Sequence, residues 1–165
     1  GYVPQLIDKA VAIATEGRPG PVHLDLPIAT SAQLHEFSFN EYRPLPAPVR
    51  PAKGINLDTA REWLSAADRP LMIVGVDAVN QNASQSITEF AKKFGAPVIS
   101  TYKAKGIISE DEALSLGGAG LSPLGDKTLI PLIEEADLIL LVGYAPIEMR
   151  YGWGSIWNTA EKHVA

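Results

Sequence analysis

Arg69-Pro70-Leu71-Met72-Ile73-Val74-Gly75 is the stretch on which the fold turns. From Leu71 to Val76 the chain is one apolar run with a glycine at its end. A strand wet on one face alternates apolar with polar side chains, whereas an unbroken run marks a parallel strand covered on both faces. Moving outward, Asn80 or Asn82 can cap a helix carrying Ile87, Phe90, Ala91 and Phe94 on one face, and Gly95 can end it. Pro97 to Ser100 reads as a second strand, and Leu138 to Val142, ending at Gly143, as a third buried one. Between these two strands a loop rich in glycine (Gly117, Gly118, Gly120, Gly125) leads to a helix with Leu129, Leu132, Ile133 and Ala136 on its inner face. Strands and helices alternating in this way imply an α/β fold, a parallel sheet with helices on both sides.

Upstream of the opening stretch, a helix is expected from Leu57 to Ala67, capped by Asn56 or Asp58 and burying Leu57, Ala60, Trp63 and Leu64. Before it, Pro44, Pro46, Pro48 and Pro51 suit an extended linker, and a domain boundary falls there. From Val3 to Thr15, Val3, Leu6, Ile7, Ala10, Val11 and Ala14 recur at the spacing of one helix face, with Pro4 in the first turn. Gly17, Pro19, Gly20 and Pro21 stop that helix, and Val22, Leu24 and Leu26 then alternate with His23 and Asp25 as in a short strand. That helix and strand have no sheet of their own, so they are expected to pack on a neighbour or add to an exposed edge.

The 165 residues, 46% hydrophobic and 20% charged, suit one main soluble domain. No apolar run approaches a membrane span and no basic-then-apolar leader opens the chain, so a cytoplasmic protein is expected. Cysteine is absent, which removes disulfides and thiolate chemistry. A net charge of −5 argues against nucleic acid, whose partners carry a basic stripe. The chain begins at Gly1 without methionine and stops at Glu161-Lys162-His163-Val164-Ala165 as a strand begins, so a piece of a longer protein is expected.

In an open parallel sheet ligands bind beyond the carboxyl ends of the strands, where the strand order reverses. Loops leave such ends at Gly75 to Val79, Thr101 to Gly106 and Gly143 to Arg150, and Gly117 to Gly125 can border the same crevice. Glycine there either lets backbone approach a diphosphate or simply ends strands and makes turns. The dinucleotide fingerprint is missing after Val74, where the chain reads Gly75-Val76-Asp77-Ala78, and there is no P-loop. His23, His35 and His163 lie in different segments, without metal-ligand spacing, and read as structural or solvated. Glu134, Glu135 and Asp137 read as a solvated face and turn. Lys103, Lys105 and Arg150 follow strand ends and could meet a phosphate, Arg150 with a fixed fork of donors, or stand only in solvent. Trp153 and Trp157 read as packing residues or, with Tyr144 and Tyr151, as an interface patch.

Gly17-Arg18-Pro19-Gly20-Pro21-Val22-His23-Leu24-Asp25-Leu26-Pro27 resembles the segment that closes the pyrimidine-binding domain of thiamine-diphosphate enzymes of the acetolactate synthase and pyruvate oxidase group. Arg69 to Gly75 resembles the first strand of that family's middle domain. Phe94-Gly95-Ala96-Pro97-Val98 with Lys105-Gly106, then Leu116-Gly117-Gly118-Ala119-Gly120, then Glu135-Ala136-Asp137-Leu138-Ile139-Leu140 resemble its later stations in the same order.

The resemblance implies a Rossmann-like, doubly wound parallel sheet of about six strands, set between two domains that hold thiamine diphosphate and magnesium across a dimer interface. Relatives carry FAD, ADP or nothing along these strand ends. By position, it implicates Gly75, Val76, Asp77, Thr101, Tyr102, Lys103, Gly117, Gly118, Gly143, Tyr144 and Arg150 as cofactor-binding residues. Val76 and Asp77 stand where flavin binders tend to have glycines. Asp77 could accept a ribose hydroxyl or repel a diphosphate. Gly143-Tyr144-Ala145-Pro146-Ile147-Glu148, with Ile156-Trp157-Asn158, resembles the catabolic acetolactate synthase type, which carries no flavin, whereas Arg150 keeps an arginine found in flavin binders.

The family's catalytic glutamate is expected before this segment and its magnesium-binding Gly-Asp-Gly motif after it. Gly125-Asp126-Lys127 is not that motif and reads as a helix N-cap. The expectation is therefore residues 1–30 as the end of a pyrimidine-binding domain, 31–55 as linker and 56–165 as the central domain, with no catalytic or metal residue and no thiamine diphosphate bound by this chain. Its partners are the remaining domains of a homo-oligomeric 2-oxo acid decarboxylase or acetolactate synthase-like enzyme. The rival readings are a free-standing FAD- or ADP-binding module and an interaction module with an empty crevice.

Overall fold

The computed structural model describes residues 3–16, 19–32, 53–153, 156–157 and 162–165. The chain divides into two units, Gly1–Arg50 and Pro51–Ala165. In the first, the three-and-four spacing produces helix α1 (Val3–Thr15), and a single turn α2 (Ile28–Ser31) follows. The expected strand at Val22–Leu26 is not formed: residues 21–27 carry no ladder. Alternation alone does not make a strand, because each N–H and C=O needs a neighbouring strand to answer it. The prolines of the expected linker lie outside the described residues, as does His35.

The second unit opens with α3 (Ile55–Ala66), which starts earlier than Asn56 or Asp58 would cap it; the carbonyl of Gly54 instead accepts from the N–H groups of Leu57 and Asp58. The strand β1 (Pro70–Val74) is buried at every position, as its unbroken apolar run requires. It is followed by α4 (Val76–Asn80), α5 (Ser84–Phe94), β2 (Val98–Thr101), β3 (Ser115–Ala119), α6 (Pro123–Asp126), α7 (Ile130–Glu135), β4 (Leu138–Val142) and β5 (His163–Val164). Gly95 ends α5 in the left-handed conformation at φ 61°, which a glycine adopts without a Cβ clash.

The five strands among the described residues are all parallel, in the order β3-β2-β1-β4-β5. Alternate side chains of the central strands feed two cores. Met72, Val74 and Val98 pack with Ile87 and Ala91 of α5; Leu71, Ile73, Ile99 and Ile139 pack with Ile133 of α7 and with Trp153. Each such aliphatic side chain contributes about 2 kcal/mol of burial, so the sheet is held from both sides. Leu132, expected on the inner face, is instead 40% exposed, because the buried stripe is made by Ile133 of the short α7 with its flanking residues Leu129 and Ala136.

Among the described residues the sheet has five strands, in keeping with the expected doubly wound sheet of about six, and one of them, β3, lies where a glycine loop was expected. Gly117 at φ 82° shifts the register between β2 and β3, so that Ser100 pairs with Gly118 and Thr101 with Ala119. The β2 to β3 connection carries only a tight 3-10 turn at Tyr102–Ala104, and Ile107 and Ile108 fold into the α5-side core. Asp137, expected in a solvated turn, accepts from the N–H groups of Asp68 and Arg69 at 2.7 and 3.0 Å and so pins the entry to β1.

Candidate functional site

The chain runs outward from β1 to β3 and then returns to β4 on the other side, so the strand order reverses between β1 and β4. The turns leaving these two strands meet glycine to glycine. A Cβ on Gly75 would stand 2.4 Å from the carbonyl oxygen of Gly143 and 2.6 Å from Cα of Tyr144. One on Gly143, at φ 57°, would stand 2.4 Å from the nitrogen of Ala78. The N–H of Asp77 donates to the Gly143 carbonyl at 3.2 Å. Both glycines therefore serve backbone packing between the two turns.

Glu148 lies under these turns with 1% of its surface exposed. Its Oε2 accepts from the N–H of Val76 at 3.0 Å and from the hydroxyl of Thr101 at 2.5 Å, and its Oε1 accepts from the N–H of Ala145 at 3.1 Å. Pro146 opens the 3-10 turn and Glu148 reaches back to the N–H that precedes it, half of a capping box. The Thr101 oxygen also accepts from the N–H of Ala104 at 3.3 Å, which leaves the hydroxyl proton directed at the carboxylate.

A second buried carboxylate governs Arg150. Asp126, 1% exposed, accepts from the N–H of Gly120 at 2.8 Å and from Nε of Arg150 at 3.0 Å, and Nη2 of Arg150 lies in ion-pair contact with the same Oδ2 at 3.0 Å. Both nitrogens address the one oxygen Oδ2, and this charge-assisted contact holds the guanidinium beside Asp126. The expected N-cap role of Asp126 is thereby replaced: Ser122 caps α6, accepting from the N–H of Gly125. Gly120 admits this arrangement at φ 95°, where a Cβ would strike Met149.

Of the remaining expected site residues, Tyr102 and Lys103 are exposed, with the ammonium 5.9 Å from the tyrosine ring. Lys105 pairs with Glu110. Gly117 and Gly118 belong to β3 and face open space or ordinary contact with Ser100. Tyr144 meets Trp157 edge-on, and its phenol is pushed above its ordinary pKa by burial and then by the Glu148 carboxylate. Trp153 is buried, and His163 stacks on Trp63 at 4.3 Å, so both are packing residues as expected. The structure thus brings Gly75, Val76, Thr101, Gly143 and Tyr144 together and sets Lys103 apart. It adds Glu148, which the sequence offered only as a member of the Gly143 to Glu148 run, and Asp126, which it offered only as an N-cap. Among the described residues no three His, Cys, Asp or Glu side chains cluster as a metal site, and no helix is long and apolar enough to cross a membrane.

A parallel sheet in the order 3-2-1-4-5, with helices on both faces and its turns converging at the reversal point, defines a doubly wound nucleotide-fold domain. A family profile described as thiamine pyrophosphate enzyme, central domain, matches residues 57–164, and the chain belongs to this family. Over 144 residues it is 32% identical to glyoxylate carboligase of Escherichia coli O157:H7. It is 31% identical, also over 144 residues, to the large subunit of acetolactate synthase isozyme 1 of Escherichia coli K12. Each alignment covers 86% of this chain and 24% of the relative, so the chain spans about a quarter of their length. A solved structure from Mycobacterium smegmatis, described as a thiamin diphosphate-dependent enzyme, shares the fold at TM-score 0.57 and 23% identity, covering 92% of this chain and 30% of that one.

Proposed function

We propose that this chain serves as the central domain of a larger thiamine-diphosphate-dependent enzyme acting on 2-oxo acids, and that its part there is architectural. The observation that supports this most is the use of its two buried carboxylates: Glu148 and Asp126 both bind the chain's own donors, so neither stands ready as a general acid or base. The names of its relatives, a carboligase and an acetolactate synthase, favour decarboxylation of a 2-oxo acid and joining of the product to a second carbonyl. Thiamine diphosphate with magnesium would supply the carbanion chemistry from flanking domains. This chain would space those domains within a cytoplasmic homo-oligomer.

FAD or ADP at the strand ends is the second reading, favoured by the fold and by Arg150 at the rim. The donor set argues against it, since the N–H groups of Val76 and Ala145, the Thr101 hydroxyl and the Arg150 guanidinium all have carboxylate partners. The architectural reading is tested by incubating the purified chain with thiamine diphosphate, magnesium and pyruvate or glyoxylate. No carbon dioxide above the protein-free control is expected, and release above it contradicts the reading.

A further inference from the structure

Burying a carboxylate is costly unless its oxygens are matched by donors. Glu148 is matched by groups drawn from the ends of three adjacent strands: Val76 after β1, Thr101 at the end of β2 and Ala145 after β4. These are the places where a doubly wound sheet presents donors to a diphosphate. A carboxylate has the charge sign and the acceptor oxygens of one phosphate group, and this one reaches those donors from inside the chain.

We propose that Glu148 is a built-in substitute for a nucleotide's anion, holding the strand-end donors so that the crevice of this chain is closed to the diphosphate of FAD or ADP. Asp126 holds Arg150 in the same sense, with two contacts at 3.0 Å. The contact between the turns of Gly75 and Gly143 reinforces the closure, because backbone already fills the space beside the donors. The inference goes beyond the architectural reading and does not depend on which reaction the larger enzyme performs.

The test follows the amide resonances of Val76 and Ala145, together with the melting temperature, while ADP or inorganic pyrophosphate is added to the wild type and to Glu148→Ala. In the wild type neither amide moves and melting is unchanged, at ligand levels about 100 times the dissociation constant of an ordinary micromolar nucleotide site. In the folded Glu148→Ala variant both amides shift with pyrophosphate, because the donors lose their internal partner. If that variant loses its dispersed spectrum, the wild-type titration decides alone, silence supporting the proposal. Movement of the two wild-type amides with ADP or pyrophosphate overturns it. So does a folded Glu148→Ala protein whose amides ignore pyrophosphate. A failed decarboxylation assay would leave this result untouched, so the two readings fall separately.

Discussion

The carboxylate of Glu148 accepts a hydrogen bond from the backbone nitrogen of Val76 at 3.0 Å, joining positions 72 residues apart. It thereby ties the turn after β4 to the turn after β1 at the point where the strand order reverses. Removing the side chain would leave two backbone donors and a hydroxyl without their partner in a buried place. Glu148→Ala is therefore expected to lose about 3 kcal/mol of stability or more. Glu148→Gln, which keeps one acceptor oxygen and the same volume, is expected to lose about half as much. The midpoints of urea unfolding measure both.

Gly75 and Gly117 separate two reasons for glycine. At Gly75 a Cβ meets backbone atoms of Gly143 and Tyr144 that cannot step aside, so Gly75→Ala is expected to cost about 3 kcal/mol. At Gly117 a Cβ meets nothing, and only the φ of 82° opposes alanine, at about 1 kcal/mol. Equal midpoints for the two variants in denaturant would contradict this ranking.

Arg150→Met is expected to leave Asp126 buried with only the N–H of Gly120 as partner. Loss of one member of a buried pair costs several kcal/mol; because the Arg150 side chain is 32% exposed, a loss of about 2 kcal/mol is expected. A double-mutant cycle with Asp126→Asn should return a coupling of about 1 kcal/mol or more. Additive losses would show that the pair contributes nothing.

Tyr144 sets an alkaline limit. Its folded pKa is raised above the ordinary 10.0, by burial first and the Glu148 carboxylate second, so the folded state keeps its proton longer than the unfolded chain does. That contribution is fully present below the unfolded pKa and is lost as pH rises through the folded one. Stability should fall above about pH 10, and Tyr144→Phe should flatten that fall. An unchanged slope in the variant would remove Tyr144 as its source.

What could be read in the sequence follows from where the information sits. The run of β1 was legible because burial on both faces leaves nothing but apolar residues, that of β4 because it is apolar throughout even though Leu140 to Val142 are only partly buried, and the end of α5 because Gly95 is a local signal. Ser115–Ala119 was not legible as β3: a strand with two glycines and a register shift carries neither alternation nor β-branched residues. The five-residue α4 is shorter than any periodicity can declare. Glycines at the site were found, but their reason was not, since the atoms they approach belong to the other turn. As site residues Glu148 and Asp126 were missed for the same cause: apart from Ala145 and Gly120, their donors come from distant segments, Val76 and Thr101 for one and Arg150 for the other. The single local hint was Pro146 followed two residues later by Glu148, the spacing of a carboxylate turning back on its own N-terminus.

The central claim concerns what fills the reversal point between β1 and β4, and a crystal structure of the chain grown with ADP and FAD present tests it most directly. The expected result is Glu148 within hydrogen-bond distance of Val76, Thr101 and Ala145, with no nucleotide density beside Gly75 and Gly143. A Glu148 side chain swung outward, with a diphosphate oxygen on the Val76 nitrogen in its place, would contradict it.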